Sequence, residues 1–270
     1  MIDTARTRVR HVASWLKRRA IEAIDRRYGV STSDFVYLDD LSLPIENRVW
    51  HDPSDWFALR RALRRLRVGP DDVFVDYGSG LGRAVLIAAT FPFRRVMGVE
   101  LASEMTQIAR ANVQRNHTRL RASAVEFVVS DATAWEIPPD VTVAYFYCPF
   151  TGDIFERVIA NLLASVDRHP RPLRLVYNYP VEHSYLIRTG RVEVLDVVSN
   201  QPLPRSRKTG EVIVTYLVLP SDPVLQREYR ARFPRRVRDH EWLGEYEPGF
   251  VLEKPARLGG VFLRRPKLSV

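Results

Sequence analysis

An acid and three glycines alternate with other residues in Asp76-Tyr77-Gly78-Ser79-Gly80-Leu81-Gly82. Glycine at every second position lets a backbone pass close to a ligand, because no Cβ stands in the way. A dinucleotide fingerprint, G-x-G-x-x-G, would seat a pyrophosphate on the following helix. It fails here, since the place of its third glycine is taken by Arg83. An acid two residues before the first glycine repels phosphate and suits a ligand with a cationic α-amino group.

Four further groups are candidates for chemistry. Glu100 closes a short apolar run and lies 18 residues after Gly82, about the distance at which an acid meets ribose hydroxyls in a βαβ nucleotide unit. Asp131 and Ala132 follow the run 125–129 in the same way; as a residue type Asp131 serves equally as a helix cap. The string Tyr147-Cys148-Pro149-Phe150 ends a fourth apolar run. A thiol is a weak acceptor, so Cys148 is read either as a nucleophile or as a small buried filler. His183, just beyond a fifth run, is a candidate general base or a surface histidine at a helix start.

The elements that must position these residues alternate in type. Strands are predicted at 73–75, 95–100, 125–129, 141–147 and 173–178, with helices from Ala84, from Ser103 and over 151–166. A final strand pair, 192–198 and 212–219, has no helix between its members and is joined by the Pro- and Arg-rich loop 202–210. This predicts an α/β, doubly wound sheet, mostly parallel, with an antiparallel edge. Upstream, residues 4–27 have helical spacing and Gly29 is the expected stop. A helix starting around Asp52–Asp55 is expected to run to about Leu66. Between them, residues 34–53 hold aromatics and acids without periodicity. Glu46, Asn47 and Trp50 are expected to cover the nucleotide and help bind it. The chain is thus divided into an N-terminal helical extension and lid (1–66), a nucleotide-binding domain (67–220) and a basic C-terminal extension (221–270).

Asp76-x-Gly78-x-Gly80-x-Gly82 resembles motif I of the class I S-adenosylmethionine-dependent methyltransferases, and the resemblance extends over about residues 35–219. It implies a seven-stranded Rossmann-like sheet with an antiparallel last strand, and S-adenosylmethionine as cofactor. By that likeness the glycine backbone lies against the methionine part and Asp76 fixes the amino end. Glu100 takes the ribose hydroxyls, Asp131 accepts from the adenine amine, and the Ala132 backbone donates to the ring. Tyr147-Cys148-Pro149-Phe150 stands where amine-methylating relatives carry Asn or Asp, then Pro, then an aromatic; Cys148 replaces the usual acceptor. The strings D-Y-G-S-G-L-G-R and G-V-E-L also resemble a bacterial group similar to the non-SET histone-lysine methyltransferases. The implied activity is methyl transfer to an unidentified small molecule or protein side chain.

Composition bounds the remaining classes. A chain of 270 residues fits one α/β domain with appendages, and no segment has the length and apolarity of a membrane span. The single cysteine excludes an intramolecular disulfide framework, disfavours a cysteine-based metal site and points to a reducing cytoplasm. The formal charge of +9 admits nucleic acid as a partner, but only four of the 41 basic residues are lysines. Wholesale arginine usage accounts for such a charge without any anionic partner. Two rivals stay open: a non-catalytic protein of the same fold that binds RNA through its basic ends, and an NAD-dependent oxidoreductase, which Arg83 disfavours.

Overall fold

The computed structural model describes residues 19–30, 32, 54–199, 212–237 and 243. Glu46, Asn47, Trp50 and the rest of the 34–53 segment lie outside the described residues, as do loop 202–210 and most of the chain beyond residue 237. Within them α1 runs over residues 19–28 and stops at Gly29, whose φ of 58° is left-handed. Helix α2 spans Trp56–Leu66 and is capped by Asp55, whose side chain accepts from the amides of Phe57 and Ala58. No helix among the described residues is long and apolar enough to cross a membrane.

The chain then alternates: β1 (Val73–Tyr77), α3 (Arg83–Ala89), β2 (Arg95–Glu100), α4 (Ser103–Arg115), β3 (Val125–Val129), β4 (Val143–Tyr147) and α5 (Gly152–Arg168). It continues through β5 (Leu173–Asn178), α6 (His183–Arg188), β6 (Val192–Ser199), β7 (Val212–Val218) and α7 (Pro223–Arg232). The sheet order is β3-β2-β1-β4-β5-β7-β6. The first five strands pair in parallel, and β7 is antiparallel to both of its neighbours. The antiparallel last strand is as predicted, but it lies inside the sheet and leaves β6 as the edge. The crossover through α6 sets β6 down parallel to β5 but one strand-width away, and β7 returns into that gap.

Apolar runs buried on both faces explain the central strands. Every residue of β1 and β5 is buried. On one face Phe74, Val143, Tyr145 and Val176 pack under α2, α3 and the apolar side of α1. On the other, Val75, Tyr77, Phe146 and Tyr177 pack under Phe155, Val158 and Leu162 of α5. Parallel pairing brings the carboxyl ends of β1, β2, β3, β4 and β5 to one rim, where an open α/β sheet binds ligands.

Candidate cofactor and acceptor site

The rim is shaped first by the loop after β1. Gly78, Gly80 and Gly82 have φ of 72°, 52° and 84°. The amides of Gly78 and Ser79 both donate to the Val99 carbonyl, at 2.9 and 3.1 Å, which folds the loop across the end of β2. A Cβ at Gly78 would come within 2.8 Å of the Pro149 Cβ, and one at Gly82 within 2.8 Å of the Ala109 Cβ on α4. The glycine loop therefore packs directly on the loop after β4. Gly78→Ala combines a left-handed φ with a collision against a rigid ring, so we expect it to destabilise the fold by roughly 1–3 kcal/mol. Thermal unfolding checks this; an unchanged midpoint would contradict the packing described.

Two acids stand at this loop. Asp76 is only 3% exposed; burial, and then the charge of Glu100, hold its carboxyl well above the usual aspartate range. Glu100 is also buried, and burial raises its carboxyl above the ordinary range against the pull of three amides. Its Oε2 accepts from the Gly80 amide at 2.7 Å, while Oε1 accepts from Leu101 and Ala102 at 2.9 and 3.0 Å. Glu100 thus fixes the glycine loop as well as facing the rim. Ser79 Oγ is buried without a hydrogen-bond partner.

The third strand contributes a carboxylate bound into its own turn. Asp131 Oδ1 accepts from the Thr133 amide and hydroxyl at 2.8 and 2.7 Å, and its carbonyl accepts from Ala134 and Trp135. Asp131 is accordingly a turn cap, placed at the rim beside Ser130, whose amide donates to the Glu100 carbonyl. Ala132 is half-buried against the larger core cluster.

Beyond β4 the backbone is strained. Among the described residues three non-glycines have positive φ. Arg67 is the left-handed cap of α2; the other two, Cys148 (40°) and Tyr179 (53°), directly follow β4 and β5. Strain of this kind persists only where surrounding structure enforces it, and it clusters at functional sites. The Tyr147 and Tyr179 rings stack with centroids 5.6 Å apart and planes 16° from parallel. Pro149 lies against Gly78, and Phe150 is buried edge-on to Phe146. Cys148 is buried in the core cluster, and burial pushes its thiol up to about 12.

His183 is set elsewhere. It opens α6, yet it is only 5% exposed, and its Nδ1 lies 2.8 Å from the Tyr216 hydroxyl. Tyr216 is opposite Leu175, three residues below the rim end of β5. The structure gathers Asp76, the glycines, Glu100, Asp131 and Tyr147–Phe150 along one rim, and turns the His183 ring toward the interior.

The part of the chain that carries the glycine loop also has counterparts among known proteins. Residues 56–130 match the family described as "Histone methylation protein DOT1". A protein-lysine N-methyltransferase of Saccharolobus islandicus (strain REY15A) is 36% identical over 87 residues, 30% of this chain and 54% of that one. The match therefore spans about half the length of that relative. Residues 56–130 run from α2 to the end of β3 and so include the glycine loop and Glu100.

Two solved methyltransferase structures resemble this chain at low identity. An RNA methyltransferase from Salinibacter ruber, in complex with S-adenosyl-L-homocysteine, is 19% identical, with a TM-score of 0.41 over 61% of this chain and 92% of that one. A SAM-dependent methyltransferase from Methanosarcina mazei is 14% identical, with a TM-score of 0.47 over 59% and 98%. Along this rim, the sequence did not single out Tyr179 and Asn178. Asn178 is buried at the end of β5 and pairs in register with Tyr147. The available signal was the aromatic-rich string Tyr177-Asn178-Tyr179-Pro180.

Proposed function

We propose that the chain binds S-adenosylmethionine at this rim and transfers its methyl group to an amine, with a lysine side chain of a protein as the favoured acceptor. The observation that carries the reading is the pairing of a buried Asp76 carboxyl with a glycine loop whose far side is held by Glu100. A buried carboxylate is costly unless a cation meets it, and the α-amino group of the cofactor is such a cation. The orphaned Ser79 hydroxyl and the Cβ-free backbone at Gly78 fit a ligand laid against this loop.

When bound, the cofactor supplies a methyl group on a cationic sulfonium. Asp76 would hold its amino end, Glu100 the ribose hydroxyls, and Asp131 with the Ala132 backbone the adenine. Glu46, Asn47 and Trp50 would cover it. At the acceptor side, the strained backbone at Cys148 and Tyr179 fixes the Tyr147–Tyr179 stack, a wall suited to an alkylammonium chain or a sulfonium. Pro149 and Phe150 close the wall and exclude water. Cys148 is a filler here, since a protonated thiol is a poor nucleophile. His183 supports α6 through Tyr216. The lysine acceptor is carried over from the Saccharolobus islandicus relative, and a reducing cytoplasm from the single cysteine.

Titration calorimetry with S-adenosylhomocysteine tests the cofactor half; absence of binding at millimolar ligand rejects it. Labelled S-adenosylmethionine in a cell extract, followed by mass spectrometry, tests the acceptor. Label on lysine supports the reading, and label confined to RNA or small molecules replaces it.

A further inference from the structure

Arg83 stands where a dinucleotide fingerprint would have its third glycine. In the fold it is the first residue of α3, next to Gly82, and it is 3% exposed. A guanidinium so buried must have its donors satisfied and its charge matched. Its Nη2 pairs with Asp25 Oδ2 at 2.8 Å, its Nε donates to Thr32 Oγ1 at 2.8 Å, and its Nη1 donates to the Ser54 carbonyl at 3.3 Å. Trp56 Nε1 donates to the other oxygen of Asp25 at 2.8 Å. These partners come from both sides of the chain between Thr32 and Ser54.

Ser54 has a second tie. Its hydroxyl is 3.0 Å from the Tyr145 hydroxyl, and Tyr145 pairs in register with Asp76. Residue 54 therefore reaches the glycine end of the cofactor loop through its carbonyl and the acidic end through its side chain. A contact serving only to seat α1 and α2 on the sheet would need neither end.

We propose that Arg83 is a positioning residue for cofactor binding, through which Asp25, Thr32 and Ser54 set the angle of the glycine loop. This rests on the S-adenosylmethionine reading above. The planar fork spans a carboxylate, a hydroxyl and a carbonyl from two separate segments. Lysine preserves the charge but cannot reproduce that geometry. Any rotation of the first turn of α3 moves Gly82 and, through it, the backbone laid against the cofactor.

The test measures S-adenosylhomocysteine affinity and thermal unfolding on the full chain. Arg83→Lys is expected to fold, with affinity falling at least about tenfold, because the loop loses its three-way anchor. The pair Asp25→Leu with Arg83→Met removes both buried charges. It should recover the melting temperature lost in Asp25→Leu alone, yet keep affinity lowered at least about tenfold. Arg171→Lys, in a buried clamp on the Val141 and Ser165 carbonyls, is the control for instability alone and should bind normally. Near-normal affinity in folded Arg83→Lys, or in the double variant if Arg83→Lys does not fold, overturns the proposal while wild-type binding leaves the function standing. Failure of the wild type to bind overturns the function itself.

Discussion

At neutral pH, Asp76→Asn is expected to stabilise the ligand-free protein while weakening its grip on S-adenosylhomocysteine by roughly tenfold to a hundredfold. The two effects share a cause. Burial, reinforced by the Glu100 charge, raises the Asp76 carboxyl above its unfolded value. The native state therefore holds this proton more tightly than the unfolded chain does. For a group raised in this way, the contribution is fully present below the unfolded pKa and is lost as pH rises through the folded one. The ionised form is the costly one, and asparagine never ionises. The variant's advantage should be absent near pH 3, appear above the ordinary aspartate pKa and grow until the native carboxyl has titrated. Each pKa unit of elevation is worth about 1.4 kcal/mol, so a gain on the order of 1 kcal/mol or more is expected at pH 8. Thermal unfolding of both proteins from pH 3 to 8 checks the sign. An asparagine variant that is less stable at pH 8 would show that the carboxylate has a partner in the free protein.

Glu100→Ala should cost more, and on both counts. It strands the amides of Gly80, Leu101 and Ala102 together. Leaving a buried donor unsatisfied costs about 1–3 kcal/mol. Water reaches part of this site once the side chain is gone, so we expect a stability loss of about 3 kcal/mol and at least about a hundredfold loss in cofactor affinity. Glutamine is not a gentle substitute. Both carboxylate oxygens accept from backbone, whereas a carboxamide has one accepting oxygen and must turn its NH₂ toward either Gly80 or the Leu101–Ala102 pair. Glu100→Gln should fall between wild type and alanine in both melting temperature and affinity. Wild-type affinity in the glutamine variant would mean that neither the loop anchor nor the proposed ribose contact depends on the charge.

The five parallel strands were readable because each is a short apolar run bounded by turn residues, and all but the edge strand β3 are buried on both sides. Their carboxyl ends carry Asp76, Glu100 and Asp131 at the spacing a nucleotide site needs. What could not be read is what depends on distant partners. Arg83 binds groups 29, 51 and 58 residues away in the chain, and no local pattern announces them. His183 looks like a surface helix-start residue until Tyr216, 33 residues downstream, is brought beside it. The left-handed backbone at Cys148 and Tyr179 leaves no mark, because the residues are not glycine. The place of β7 was also hidden: spacing shows that two strands follow one another, not that the second inserts inside the first.

That insertion has a consequence for how the polypeptide is made. Strand β7 follows every other strand among the described residues, yet it is hydrogen-bonded on both sides. Until it emerges, β5 ends the growing sheet with an open row of amides and carbonyls, and β6 has nothing to join. A ribosome stalled before residue 212, or a nonsense codon there, would release a product with a long apolar edge of the kind that recruits other chains. Such a fragment still encodes the entire rim from Asp76 to Tyr179. Loss-of-function alleles that truncate the chain at this point are therefore expected to fail through aggregation, with every residue of the rim still encoded.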